Sequence, residues 1–196
     1  ISPPQAPNTD NGKLYGFTTT GGQLTNTGAT LPMGSFFEFD PLTNNFNVIE
    51  YIDDKSLIGN TFYNSPTKGN GGMLYFASEG LQLTGQQSVL SSYDVNNSTL
   101  AVIETFSVDS WVRSKLLFAS DDNLYATTYA GGTGDGSTGT IIQYDLSTTT
   151  LNVIHNSPGT GAGQFGYKNA RNNPLFEASN GVLYGASQNG GLTIGE

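Results

Sequence analysis

The chain repeats itself, and the repeat limits its fold more than any single motif does. Asp40, Asp94 and Asp145 each stand eight residues before a Val-Ile pair, at Val48-Ile49, Val102-Ile103 and Val153-Ile154. An apolar residue holds the same place between them: Phe46, Leu100 and Leu151. Upstream, Leu-Tyr recurs at Leu14-Tyr15, Leu74-Tyr75, Leu124-Tyr125 and Leu183-Tyr184. A double glycine begins six residues after the Tyr at Gly21-Gly22, Gly131-Gly132 and Gly190-Gly191, while the second copy departs, with Gly80-Leu81 beginning five residues after it. Tyr-to-Tyr spacing is 60, 50 and 59, so length varies in the loops and not in the repeated runs. Those runs are rich in β-branched, aromatic and leucine residues and end in Gly, Asn, Asp, Ser or Thr clusters, the pattern of strands joined by hairpins. A four-stranded unit recurring at this period predicts the blades of a β-propeller.

The third copy is the clearest, with strands LLFAS, LYATTY, TIIQYD and LNVI separated by turn-forming clusters. The fold expected is all-β: a β-propeller segment of four-stranded antiparallel blades, about three and a half of them. Residues 1–53 form blade one with a Pro-rich lead-in, which is an extended arm or a damaged first strand because proline cannot donate to a ladder. Residues 54–110 form a degenerate blade two, opening on a strand in SLIGNTFYNS and followed by an unusually long turn, PTKGNGG. Residues 111–156 form blade three, and residues 157–196 a long polar connection and an incomplete blade four. Rings take about four to eight blades, and an open arc would expose sheet faces and edge strands. Further blades are therefore expected, from the same longer chain or from another subunit.

Composition narrows the partners. Sixteen acids against seven bases give a net charge of −9 with no basic stripe, which argues against nucleic acid. No apolar run is long enough to cross a bilayer, so membrane insertion by this segment is not expected. The absence of cysteine removes disulfides and thiolate metal sites. With no basic-then-apolar leader, the chain reads as mature or as a piece of a longer one. Glycine (26 of 196) and the Asn, Thr and Ser clusters suit many turns, and aromatics at repeating positions argue against low-complexity disorder. Polar surfaces with few lysines lean towards an extracellular or cell-surface location.

The combination LLFASDDNLYATTYAGG…GTIIQYDLSTTTLNVI resembles the bacterial GloVer-type tandem repeat, whose pattern centres on Leu-Tyr-Gly, a double glycine and a later Asp. NGKLYGFTTTGG and PLFEASNGVLYGASQNGG are also similar to it, and the second copy is degenerate. The repeat is similar to Kelch as well, with Kelch's late Trp replaced by Phe46, Leu100 and Leu151. The resemblance implies a propeller in large exported bacterial proteins, often beside anchoring or sorting domains, and implies no catalytic activity.

Most of the repeated residues have a structural reading. The Leu-Tyr pair alternates across a strand, so its two side chains pack on opposite faces. The double glycine suits a place needing positive φ or close backbone approach. Each Asp opens a tight turn in which its carboxylate can accept backbone N–H bonds.

Function is therefore sought on the loops. In an up-and-down blade, the loops after strands two and four emerge at one end, and here those are the long, variable ones, where binding usually sits. On that face the sequence places Trp111, Arg113, Tyr129, Asp135, His155, Tyr167, Lys168 and Arg171. Trp111, the only tryptophan, beside Arg113 could stack on a sugar or anchor a partner; the stronger reading is that it plugs the gap between blades two and three. His155 is the sole histidine, which disfavours a transition-metal site, and it reads as a solvent-facing strand end. Asp53-Asp54 and Asp121-Asp122 look like turns and not a glycosidase pair. Asp135 and the Asp121-Asp122-Asn123 turn offer a weak case for structural calcium, and no other cofactor is expected. The function expected is a non-enzymatic binding or display scaffold for a glycan or a cell-surface protein. The alternatives are a polysaccharide-acting propeller hydrolase or lyase, for which Glu177 is the only acid on the first strands, and a purely structural spacer.

Overall fold

The computed structural model describes residues 11–81, 87–106, 111–129, 131, 139–156, 165–166, 174–186 and 189–190. Among them all regular structure is β. Blade one contains β1 (Leu14–Thr18), β2 (Pro32–Asp40) and β3 (Asn45–Asp53), paired in that order. Blade two contains β4 (Thr67–Lys68), β5 (Met73–Leu81), β6 (Gln87–Asp94) and β7 (Thr99–Thr105), and blade three contains β8 (Leu117–Phe118), β9 (Leu124–Thr127), β10 (Thr140–Asp145) and β11 (Thr150–Asn156). Each of these two is a four-stranded antiparallel sheet in sequence order. β12 (Phe165–Gly166) pairs with β15 (Asn189–Gly190), and between them in sequence β13 (Phe176–Glu177) pairs with β14 (Leu183–Tyr184), the start of blade four.

The first strands of neighbouring sheets lie side by side. Thr67 Oγ1 of β4 donates to the Leu116 carbonyl at 2.7 Å, and Asn70 Nδ2 reaches Asp122 Oδ1 at 2.7 Å. The outer strands β7 and β11 are mostly exposed. The sheets thus radiate from their first strands, which is the blade arrangement of a β-propeller.

Three apolar clusters sit between sheets, and the Leu-Tyr pair divides itself among them. Leu74 packs with Tyr15, Phe36 and Ile52 of blade one, whereas Tyr75 packs with Leu124, Ile142 and Tyr144 of blade three. Tyr125 in turn meets Leu175 and Leu183 at blade four. Period-two alternation puts adjacent side chains on opposite faces, so each Leu looks back to the preceding blade and each Tyr forward to the next.

One part of the sequence reading needs correction. SLIGNTFYNS is not a strand: Ser56 N donates to the Asp53 carbonyl and Gly59 N to the Ser56 carbonyl, bending the chain through successive turns. The first strand of blade two is β4, inside the segment read as a long turn. The long polar connection, for its part, contains β12. Both are two-residue strands, too short to show alternation. The lead-in, residues 1–10, lies outside the described residues.

A further feature had no sequence signal. The outer strands of blades one, two and three each carry one extra residue at the same place, with Phe36 opposite Glu50 but Phe37 opposite Val48. Leu90 faces Glu104 while Ser91 faces Val102, and Ile141 faces His155 while Ile142 faces Val153. The unpaired residues are Ile49, Ile103 and Ile154, so the repeated Val-Ile pair is a β-bulge. A bulge bends and twists its strand, and it carries Ile49 and Ile103 onto the clusters between blades.

Candidate functional site

Four residues after Tyr75 and Tyr125 the second strands of blades two and three reach Glu79 and Tyr129. Thr61 bridges to Glu79 and Val112 to Thr128, so the segments leading to β4 and β8 run alongside these strand ends. Tyr63 and Arg113, each four residues before the first-strand residue that pairs with the repeat tyrosine, therefore arrive at the same level. Pairing within each blade brings the side chains to the mouth, and packing between blades joins them.

The centre is Arg113. Its Nε donates to Glu79 Oε1 at 2.6 Å and its Nη2 to Glu79 Oε2 at 3.2 Å, a two-point contact with both side chains largely buried. The Tyr63 hydroxyl donates to Glu79 Oε2 at 3.3 Å. The guanidinium carbon lies 4.2 Å from the Tyr129 ring centre, 5.0 Å from Trp111 and 5.4 Å from Tyr63. Trp111 and Tyr129 stack with centres 5.6 Å apart and planes at 22°, and Tyr129 N donates to the Trp111 carbonyl at 2.6 Å. Asn64 Nδ2 holds the Arg113 carbonyl at 2.8 Å. Burial opposes the guanidinium charge, but the Glu79 carboxylate outweighs it and raises the pKa. A bidentate pair of this kind is both strong and orienting, and cation–π contact fixes the rings around it.

Sequence placement thus brings Trp111, Arg113 and Tyr129 together. Trp111 is half-buried, with its ring packed on Tyr129 and Arg113 at the junction of blades two and three, where the gap-plug reading put it. Glu79 and Tyr63 were missed, being separated from Arg113 by 34 and 50 residues. Their only signal was register with the repeat tyrosines. Asp135, Tyr167, Lys168 and Arg171 lie outside the described residues. His155 stands exposed on β11, opposite Ile141.

The acidic pairs are engaged elsewhere. Asp53 is buried at the end of β3 and accepts from Thr25 N and Asn26 N at 2.9 Å and from Lys55 N at 3.0 Å. Burial pushes its pKa up, but the bonds from Asn26, Thr25 and Lys55 hold it well below the carboxylate range. Asp54 accepts from Thr30 N at 2.8 Å and Thr30 Oγ1 at 2.8 Å. Asp53 is thus a strand residue and not a turn, and the pair clamps the long loop between β1 and β2. Glu177 accepts from Ser120 N at 2.9 Å and from its hydroxyl, tying blade four to blade three.

At the opposite end, a groove of about 360 Å³ between the turns of blades two and three is lined by Asn70, Tyr75, Phe118, Asp121, Asp122 and Asp145. Asp121 accepts from the Tyr125 hydroxyl at 2.7 Å and Asn123 Nδ2 at 3.0 Å, and Asp122 from Asn70. Among the described residues no three metal-ligating side chains are grouped to hold an ion.

The sheets define an all-β protein of β-propeller type. No family model matches the sequence, and no curated protein matches it. Among solved structures, the crystal structure of TolB from Acinetobacter baumannii aligns with a TM-score of 0.48 at 13% identity, over 95% of this chain. A bifunctional GH43-CE protein of Bacteroides eggerthii aligns with a TM-score of 0.45 at 14% identity, over 93% of this chain. The chain spans 40% of the length of the first and 24% of the second.

Proposed function

We propose that this chain is a non-enzymatic binding scaffold of the GloVer-type repeat, part of a larger exported bacterial surface protein. Its working face is the end where the loops after strands two and four emerge, and its ligand is a glycan. The observation that carries the reading is the half-buried Trp111–Tyr129 stack, backed by Arg113 and Glu79. Flat rings with polar edges suit the apolar faces and hydroxyl rims of sugar rings. Arg113 spends its charge on Glu79, so the platform favours neutral sugars over anionic ones.

The non-enzymatic part rests on where the carboxylates are spent. Hydrolysis of a glycosidic bond needs two carboxyl groups facing one cleft. Here Glu79 is tied to Arg113, Asp53 and Asp54 to a loop, and Glu177 to Ser120.

Affinity electrophoresis of the chain through gels containing a panel of neutral and acidic polysaccharides tests the proposal. Retardation by a neutral glycan, reduced about tenfold in affinity by Trp111→Ala (~1.4 kcal/mol) in a variant that keeps the strand circular dichroism of the parent, is the expected result. Binding indifferent to Trp111→Ala overturns the assignment of the platform. Release of new reducing ends from any of the polysaccharides would make the protein an enzyme.

A further inference from the structure

The junction of blades two and three departs from the repeat at two places, and both line the groove between its turns. The repeat tyrosines of blades one and three have their hydroxyls engaged. Tyr15 donates to Glu38 Oε2 and accepts from Asn11 Nδ2, both at 3.1 Å. Tyr125 donates to Asp121 Oδ2 at 2.7 Å and accepts from Gln143 Nε2 at 2.9 Å. In each case one partner lies four residues before the Tyr and the other opposite it on the neighbouring strand. In blade two those places hold Gly71 and Ser92, and no described residue hydrogen-bonds the Tyr75 hydroxyl. Tyr75 is only 8% exposed, and it lines the groove. A buried tyrosine hydroxyl ordinarily finds a partner, so this one is left for something that enters the groove. The second departure is Asp122. Three residues before the repeat Tyr, blades one, two and four carry Gly12, Gly72 and Gly181 at φ 73°, 82° and 78°, whereas blade three has Asp122 at φ 62°. Side chains are disfavoured there, and strain of this kind persists where the side chain is used. Asp122 Oδ1 accepts from Asn70 Nδ2 at 2.7 Å, and no described residue donates to its Oδ2.

We propose that this groove binds an organic cation, a primary ammonium on a short alkyl chain, held by Asp122 and the Tyr75 hydroxyl. Asp121, Asp122 and Asp145 line the groove and no basic residue does. Among the described residues no three ligating side chains are grouped to hold a metal ion, so the charge that fits is one carried by a molecule. Asp121 and Asp145 are taken up by their own turns, the first with Asn123 and Tyr125 and the second with Ser147 and Thr148. They add negative field, whereas Asp122 Oδ2 and the Tyr75 hydroxyl are acceptors still open to an N–H donor. The rings of Tyr75 and Phe118 stack at 13° with centres 6.2 Å apart, and with Leu146 they give the alkyl chain an apolar wall. At about 360 Å³ the groove lies at the small end of ligand sites, which run from about 300 to 1,000 Å³. It stands at the opposite end from the Trp111–Tyr129 platform, and the two proposals are independent.

Isothermal titration calorimetry at about 0.15 M salt gives the test, with putrescine and Nα-acetyl-lysine N-methylamide as probes and butanediol as the neutral analogue. The amines should bind and the diol should not. Tighter binding of the lysine derivative means an ammonium presented on a peptide, and tighter binding of putrescine a free amine. Asp122→Asn removes the charge but keeps a residue that tolerates positive φ and can accept from Asn70. It should weaken binding about tenfold, the size of one hydrogen bond to a charged group. Tyr75→Phe removes a hydroxyl that no described residue uses, and should weaken binding about fivefold. Glu50→Gln removes a carboxylate of blade one and should leave the affinity unchanged, which separates the groove from simple attraction to a chain of charge −9. Failure of both amines to bind, or equal binding of the diol, overturns the proposal. So does an affinity that Asp122→Asn or Tyr75→Phe leaves unaltered, or one that Glu50→Gln weakens as much.

Discussion

At the scale of single residues, the three repeated turns show what the Asp does and what it costs nearby. Asp40, Asp94 and Asp145 accept from the backbone two residues on, at 2.9, 2.8 and 2.8 Å. Four residues after each, the chain enters the left-handed region, at Asn44 (φ 56°), Ser98 (φ 53°) and Thr149 (φ 53°). Asn tolerates this conformation, whereas a β-branched residue there is strained. Thr149→Gly should therefore raise stability by about 1 kcal/mol despite losing the bond from its hydroxyl to the Thr148 carbonyl. Urea unfolding of the variant reads this as a higher midpoint at unchanged slope. The turn-opening Asp was legible from residue type and spacing because an Asx turn is made within four residues. The strained position was not, since Thr gives no hint of positive φ.

At the scale of elements, the loop between β1 and β2 is held from β3. Asp53 fixes Thr25 and Asn26 from a buried position, and its charge is what the three backbone donors satisfy. Replacing the carboxylate by an amide leaves a donor where an acceptor is required. Asp53→Asn should cost about 2 kcal/mol, in the range for a buried hydrogen-bonding group left unmatched. Hydrogen exchange at the Thr25 and Asn26 amides should quicken, while the amides of β2 that pair with β3 stay protected. Equal acceleration in both places would mean that the loop and the sheet open together. The same element shows why close packing needs glycine. Gly34 sits at φ 132°, and a Cβ there would overlap the Thr18 carbonyl.

At the scale of the whole molecule, charge sets how stability depends on pH. Hydrogen bonds lower the pKa of Asp40, Asp53, Asp54, Asp94, Asp121 and Asp145 below the ordinary value of 3.8. A carboxyl depressed in the folded state contributes stability above its unfolded pKa and loses it as pH falls. Unfolding in acid should therefore set in below about pH 4. Glu50 runs the other way, because burial, with Asp53 nearby, raises its pKa from 4.5. Its ionisation costs stability as pH rises through 4.5 and costs nothing below. Glu50→Gln should thus melt higher than the parent at pH 7, with the difference vanishing below about pH 4. A gain that persisted in acid would point to packing instead of charge.

The sequence by itself determined the all-β class, the blade period, the turns opened by Asp and the division of the Leu-Tyr pair between opposite faces of its strand. It also placed Trp111, Arg113 and Tyr129 at one end. All of these follow from local rules, in which alternation and turn chemistry act over a few residues. Only the tertiary structure decided that Arg113 is neutralised by Glu79, that Asp53 clamps a loop, and that the Val-Ile pair is a bulge. It also decided that the first strand of blade two is β4. Those outcomes depend on which sheet packs against which, at separations where the chain carries no periodic signal. The exposure of Tyr184, where Tyr15, Tyr75 and Tyr125 are buried, belongs to this second group, because a Leu-Tyr pair reads the same whether or not a neighbour covers it.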